Sequence, residues 1–166
     1  MALERFSAAW RESYVTSAFN NEFDHDANEC VFCVLGAEEV SESSGVLKKS
    51  TYSFIVLNAF PYGSGHLLVV PYRHLGALDE LTDEEYLDFT QMLRVATSAL
   101  TKAYEPDGMN VGMNIGSAAG AGIPKHLHAH ALPRWNGDTN FMTTIGETRV
   151  LSESLQSTWR KVHAQL

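Results

Sequence analysis

Lys125-His126-Leu127-His128-Ala129-His130-Ala131-Leu132-Pro133-Arg134-Trp135 decides how this chain is read. Histidines and apolar residues alternate from His126 to Leu132, and successive side chains on a strand point to opposite faces. The alternation predicts a strand over 126–132, ended by Pro133. His126, His128 and His130 would share one face, and Leu127, Ala129 and Ala131 the other. Protonated imidazoles in such a row would repel one another, so most of the row is expected to be neutral near pH 7. Same-face neighbours on a strand lie about 7 Å apart and the outer pair about 13 Å, so two can meet on one metal but three cannot easily do so. A division of labour is expected. A neutral imidazole is also a nucleophile, and a covalent phosphohistidine splits one displacement at phosphorus into two.

Working outward, the stretch just upstream is rich in small residues: Asn114-Ile-Gly116-Ser-Ala-Ala-Gly120-Ala-Gly122. Backbone N–H groups with little side chain around them form concavities suited to phosphate oxygens. Met109 to Ile115 reads as a strand leading into this loop. Further back, Thr51–Asn58 and His66–Val70 are β-rich runs separated by Pro61-Tyr-Gly-Ser-Gly65, which predicts an antiparallel hairpin. Thr82-Asp83-Glu84-Glu85 is a capping box. It opens a helix carrying Tyr86, Phe89, Leu93, Ala96 and Leu100 on one face, and Pro106-Asp107-Gly108 closes it. Leu3–Ala18 has helical spacing, Asn20–Cys33 reads as a polar loop, Glu38–Gly45 as another loop, and a last helix is expected near Ser152–Val162. Hairpin, long helix and two more strands make an antiparallel α+β domain.

The chain has 166 residues, 45% of them hydrophobic, which suits one domain over 1–166. Within it, 1–45 would be an N-terminal helix and loop, 46–135 the core, and 136–166 a C-terminal tail. Twelve Lys and Arg against twenty Asp and Glu give a net charge of −8, which argues against a nucleic-acid polymer as partner. The acids are unevenly spread: none lies in Ser43–Leu78 or Gly108–Gly137, and those windows hold five of the seven histidines. They also hold Lys125 and Arg134, which would add positive field. No apolar run is long enough to span a bilayer, and the first residues carry no apolar signal core, so a cytoplasmic protein without a membrane partner is expected. There, Cys30-Val-Phe-Cys33 reads as metal or redox chemistry ahead of a structural disulfide. His25 and His163 stand in no motif and read as surface residues.

His126-Leu-His128-Ala-His130-Ala-Leu resembles the signature of the histidine triad (HIT) family of nucleotidyl hydrolases and transferases. The likeness extends to Phe54–Asn58, Gly65–Pro71, the acidic helix start and Asn114-Ile-Gly116. Pro133–Phe141, with Thr148-Arg149-Val150, is similar to the branch that contains diadenosine tetraphosphate phosphorylases. The resemblance implies a HIT-like α+β fold, an antiparallel sheet of about five strands with two main helices. It also implies a homodimer formed through the long helix and the Met109–Ile115 strand. It implies that His128 is the nucleophile toward an α-phosphorus, its other ring nitrogen held by a backbone carbonyl. His130 would contact phosphoryl oxygens, and His66 would join the imidazole network. Asn114, Gly120 and Gly122 would bind phosphate and Asn58 the ribose. Residues near Phe32 and Leu57 would hold the base, and Trp135 would meet the second nucleoside. Zinc-bearing members of the family imply Cys30, Cys33, His74 and His126 as ligands of a structural Zn²⁺ with no open position.

The implied substrate is a nucleotide or dinucleoside polyphosphate, with inorganic phosphate as acceptor; water as acceptor would make the protein a hydrolase of nucleoside phosphoramidates or dinucleoside polyphosphates. The chain departs from the family in having Gly122 where Gln or Ser is usual, four residues before the first triad histidine. The loop before the triad is also one residue longer. Two other readings of the same residues are a catalytic metal on His126 and His128, and a nucleotide sensor without turnover.

Overall fold

A computed structural model describes residues 30–145 and 152–166. The helix expected over Leu3–Ala18, His25 and Thr148-Arg149-Val150 lie outside the described residues. In chain order the elements are α1 (Val31–Ala37), β1 (Val46–Lys49), β2 (Ser53–Leu57), β3 (Leu67–Pro71), α2 (Asp83–Tyr104), β4 (Gly108–Met113), β5 (Ala129–Arg134), α3 (Phe141–Thr144) and α4 (Leu155–His163). Short 3₁₀ turns cover Leu78–Glu80 and Ser117–Ala119.

The five strands form one antiparallel sheet in the order β1-β2-β3-β5-β4. The expected hairpin is β2–β3, in register from Ser53↔Pro71 to Leu57↔Leu67. Every residue of both strands is buried, because each face of the sheet is covered. Ile55, Leu57, Leu67 and Val69 pack under α2 and α4 with Phe89, Met92, Ala96, Ala99, Leu100 and Val162. The alternate residues, Phe54, Val56, Leu68 and Val70, meet Cys30, Phe32 and Ile123 on the other face. The period of two thus divides the strands between two cores.

The capping box forms as expected: Thr82 Oγ1 accepts the Glu85 N–H (3.3 Å), and the Glu85 carboxylate accepts the Thr82 N–H (2.9 Å). Arg73, just past β3, grips the same carboxylate through two N–H donors at 2.7 and 2.8 Å. That guanidinium, with the Thr82 N–H, holds Glu85 below the usual carboxylate range. The buried stripe of α2 is Phe89, Met92, Ala96, Ala99 and Leu100; Tyr86, expected on it, is 48% exposed. Ala96 and Ala99 on the helix and Ala129 and Ala131 on β5 let the helix lie close to the sheet. Glu105, with φ of +44°, ends α2 one residue before Pro106.

Four local expectations are corrected. The triad strand pairs only from Ala129: Ala129, His130 and Ala131 face Val69, Leu68 and Leu67 on one side and Met113, Gly112 and Val111 on the other. His126 and His128 precede the ladder, because the His126 N–H turns back to the Ile123 carbonyl and the Leu127 N–H to the Leu75 carbonyl. Pro133 lies inside β5 opposite Met109, past the end of the β3 pairing, where no partner needs its missing N–H. Gly65, with φ of +79°, makes room for the ring there: a Cβ on it would stand 2.7 Å from Pro133 Cγ. Cys33 sits on helix α1 rather than in a loop, with Cys30 at its N-cap. β1 escaped the sequence reading; Val46 and Leu47 of this four-residue strand point into different cores across an irregularity in its register. The last helix begins at Leu155, after the Ser154 cap, and runs to His163, which is exposed.

Candidate active site

Four donor atoms converge beneath α1. Cys30 Sγ, Cys33 Sγ, His74 Nδ1 and His126 Nδ1 all lie within 4.8 Å of one another. The thiol–imidazole separations are 3.3 Å (Cys30–His126), 3.6 Å (Cys33–His126) and 3.4 Å (Cys33–His74). A tetrahedral ion with bonds of about 2.3 Å to sulfur and 2.0 Å to nitrogen places such atoms roughly 3.5 Å apart, so the cluster fits a metal site. The His126 Nε2–H donates to the Pro71 carbonyl at 2.9 Å, which leaves the lone pair on Nδ1 facing the thiols. Burial, then the neighbouring Cys30, pushes the Cys33 thiol up to about 11, a penalty that a bound cation would reverse. Burial first, then His74 and His128, holds His126 down to about 4, so its imidazole is neutral near pH 7.

The second constellation is a run of imidazoles with a defined polarity. The Tyr62 N–H donates to His66 Nδ1 at 3.0 Å. The His66 proton therefore sits on Nε2, which donates to His130 Nδ1 at 2.9 Å. His130 must then carry its own proton on Nε2, a buried nitrogen with no hydrogen-bond partner among the described residues. His128 is held the opposite way round. Its Nδ1–H donates to the His126 carbonyl at 2.8 Å, so the Nε2 lone pair is left for chemistry. Burial lowers His128, and burial with the adjacent His128 lowers His130 to about 4, so both rings are neutral near pH 7.

His128 and His130 line a cleft of about 100 Å³. Phe32 and Leu35 of α1 and Leu57 of β2 form an apolar wall, and Asn58, Asn114, Gly120 and Gly122 line it as well. A neighbouring cleft on the β4 side includes His66, Asn110 and Arg134, and shares Tyr62, Asn114 and His130 with the first. Among the described residues no acid lines either cleft, and apart from α1 that lining comes from the two acid-free windows. The fold therefore gathers His128, His130, His66, Asn58, Asn114, Gly120 and Gly122 into one region. Trp135 stands apart: its ring meets Tyr104 edge-on at 5.9 Å and lines neither cleft. His128 is not among the four cluster donors, and both ring nitrogens of His126 are directed elsewhere, at the thiols and the Pro71 carbonyl, which disfavours a catalytic metal held by His126 and His128. Arg134 is engaged by Asp138 through two bonds, at 2.6 and 2.7 Å.

Sequence reasoning missed Tyr62. Its ring lies 4.7 Å from that of His66 and 5.8 Å from that of His130, and its amide is one of the donors directed at His66 Nδ1. The Pro61-Tyr-Gly-Ser-Gly65 turn marked a reversal, but which residue it returned to the histidines depended on its conformation. The Pro71 and His126 carbonyls are backbone groups, and no residue type announces them.

Fold and site together define an α+β domain that presents neutral histidines to a cleft with no acid among its described lining, beside a cluster of thiols and imidazoles. A family model described as HIT domain matches residues 39–137, and the chain belongs to the HIT family. It is 40% identical over 123 residues to the AP-4-A phosphorylase of Mycobacterium tuberculosis, an alignment covering 74% of this chain and 63% of that protein. It is 35% identical over 91 residues to the Bis(5'-adenosyl)-triphosphatase of Saccharomyces cerevisiae, covering 54% of this chain and 44% of that one. The chain thus spans less than two thirds of either relative. Among solved structures, a Zn-bound histidine triad family protein from Mycobacterium smegmatis superposes with a TM-score of 0.67 at 22% identity, over 84% of this chain and 94% of its own. That likeness is one of fold. No described helix is long and apolar enough to cross a membrane.

Proposed function

We propose that the protein cleaves dinucleoside polyphosphates by transferring a nucleotidyl group through a covalent intermediate on His128, with inorganic phosphate as the acceptor. The observation that carries this reading is the opposite polarity of two adjacent imidazoles in one cleft. His128 gives its Nδ1 proton to the His126 carbonyl and keeps a basic Nε2, whereas His130 has a proton on Nε2. A nucleophile and a hydrogen-bond donor are the two groups that displacement at phosphorus needs.

In the first step the Nε2 lone pair of His128 attacks an α-phosphorus. The bond from that phosphorus to the bridging oxygen breaks, and the remaining nucleotide leaves with the electron pair. The N–H of His130 and the amides around Gly120 and Gly122 stabilise the charge on the phosphoryl oxygens. The nucleotidyl imidazolium keeps its Nδ1–H on the His126 carbonyl. In the second step a phosphate oxygen attacks the same phosphorus, the N–P bond breaks, and its electrons return to Nε2. One base rests against Phe32, Leu35 and Leu57. The names of the two curated relatives support the substrate class.

Cys30, Cys33, His74 and His126 would hold a structural zinc ion that fixes α1 against the sheet; four protein donors leave no position for a reacting water. A homodimer through α2 and β4 belongs to the same reading, supported by the exposure of Tyr86, Leu87 and Val111 at 48%, 57% and 48%.

The test is one reaction run with and without inorganic phosphate. Diadenosine tetraphosphate should yield ADP and ATP only when phosphate is present. AMP and ATP at full rate in phosphate-free buffer would make water the acceptor and the protein a hydrolase, the direction the triphosphatase relative favours. Binding of a nucleotide panel without turnover would leave a sensor.

A further inference from the structure

We infer that Asn58 is a positioning residue that, jointly with the Tyr62 amide, determines through His66 which nitrogen of His130 carries the proton. Its geometry stands independently of the proposed reaction; its catalytic consequence rests on that reading.

The loop from β2 to β3 closes on itself. The Asn58 N–H donates to the His66 carbonyl at 3.0 Å, which joins the two ends of the turn. Asn58 Oδ1 accepts the Phe60 N–H at 2.9 Å, and this fixes the orientation of the amide. The opposite end, Nδ2, is therefore an NH₂ group, and it lies 3.3 Å from His66 Nδ1. The Tyr62 N–H reaches the same nitrogen at 3.0 Å. Two donors directed at one ring nitrogen leave it no room for a proton of its own. His66 is 1% exposed, so water does not compete for that edge. Its proton is confined to Nε2 and passes as a donor to His130 Nδ1 at 2.9 Å. A hydrogen bond between two ring nitrogens holds one proton, so the His130 proton lies on Nε2, the nitrogen with no partner among the described residues. The order Asn58, His66, His130 thus turns an amide orientation into a donor for a phosphoryl oxygen. The Tyr62 ring lies over both imidazoles and restrains them from turning.

This role differs from a ribose contact, and the two are separable. Long-range ¹H–¹⁵N spectra of the protein without nucleotide should show His66 protonated at Nε2 and bare at Nδ1, and His130 likewise. Asn58→Asp places a carboxylate against His66 Nδ1, which should then acquire a proton. The expected kinetic result is a fall in kcat of about 100-fold with KM changed by no more than about twofold. If the wild-type His66 carries its proton on Nδ1, or if Asn58→Asp raises KM and leaves the ring signals unchanged, the inference is overturned. Should Asn58→Asp not fold, Asn58→Ala serves: mixed His66 tautomers support the relay, and one unchanged tautomer sinks it. The ring signals are read without substrate, so the two failures are distinguishable. Correct tautomers in a protein that forms no nucleotidyl-histidine would discard the reaction and keep the relay. An adduct formed while His66 is protonated at Nδ1 would do the reverse.

Discussion

The thiol–imidazole cluster and the imidazole run are built largely from the same side chain, and they differ in which ring nitrogen the backbone takes. At His126 a carbonyl takes Nε2–H and leaves Nδ1 for the thiols. At His128, two residues later, a carbonyl takes Nδ1–H and leaves Nε2 for the cleft. His130 has its Nδ1 occupied by His66 and retains a proton on Nε2. The proposed ligand, nucleophile and donor are therefore one residue type in three hydrogen-bond settings. The two regions also share parts. The carbonyl that orients His128 belongs to the metal-facing His126, and Phe32, between the two cysteines, packs 5.5 Å from the ring of His126 and 5.0 Å from that of His128.

The sharpest way to separate the regions is His128→Ala. It removes the proposed nucleophile and leaves all four cluster donors, so turnover should fall by about 10⁴-fold or more while metal content is unchanged. Steady-state assays with elemental analysis check both, and turnover within about tenfold of wild type would break the contrast. Cys30→Ser is the converse. Metal should drop well below one ion per chain, and stability in urea should fall by on the order of 3 kcal/mol, with a smaller loss of turnover than His128→Ala causes.

A third prediction concerns acid. Folded His130 is lowered from 6.5 to about 4, first by burial and then by His128. The unfolded chain therefore takes up a proton at a pH where the folded chain does not. That contribution to stability is complete above about pH 6.5 and is lost as the pH falls toward about 4. Denaturation at about pH 7 and about pH 5 should show the decline, and His130→Gln should make it shallower. The smallest effect is expected for Phe32→Leu, which thins the wall shared by both regions. KM should rise about threefold, with roughly 1 kcal/mol lost from stability and the metal retained.

Much of this was legible along the chain because it is carried by local signals. The β2–β3 hairpin followed from two apolar runs around a Pro- and Gly-rich turn, and α2 from its capping box. The alternation around the triad signalled that its histidines work together. The acid-free windows marked the cleft, since apart from α1 its described lining comes from those two windows. β1 was missed because four residues split between two cores have no period to detect. α1 was missed because seven residues with a single buried side chain are too short to announce a helix.

Residue types and spacing by themselves determined the family, the antiparallel α+β class, and which histidines and cysteines to watch. Tertiary structure alone decided what each histidine can do. That depends on proton position, set by the carbonyls of Pro71 and His126, the amide of Tyr62 and the side chain of Asn58. Backbone groups are the same at every residue, so only folding can select the carbonyl or amide that meets a given ring.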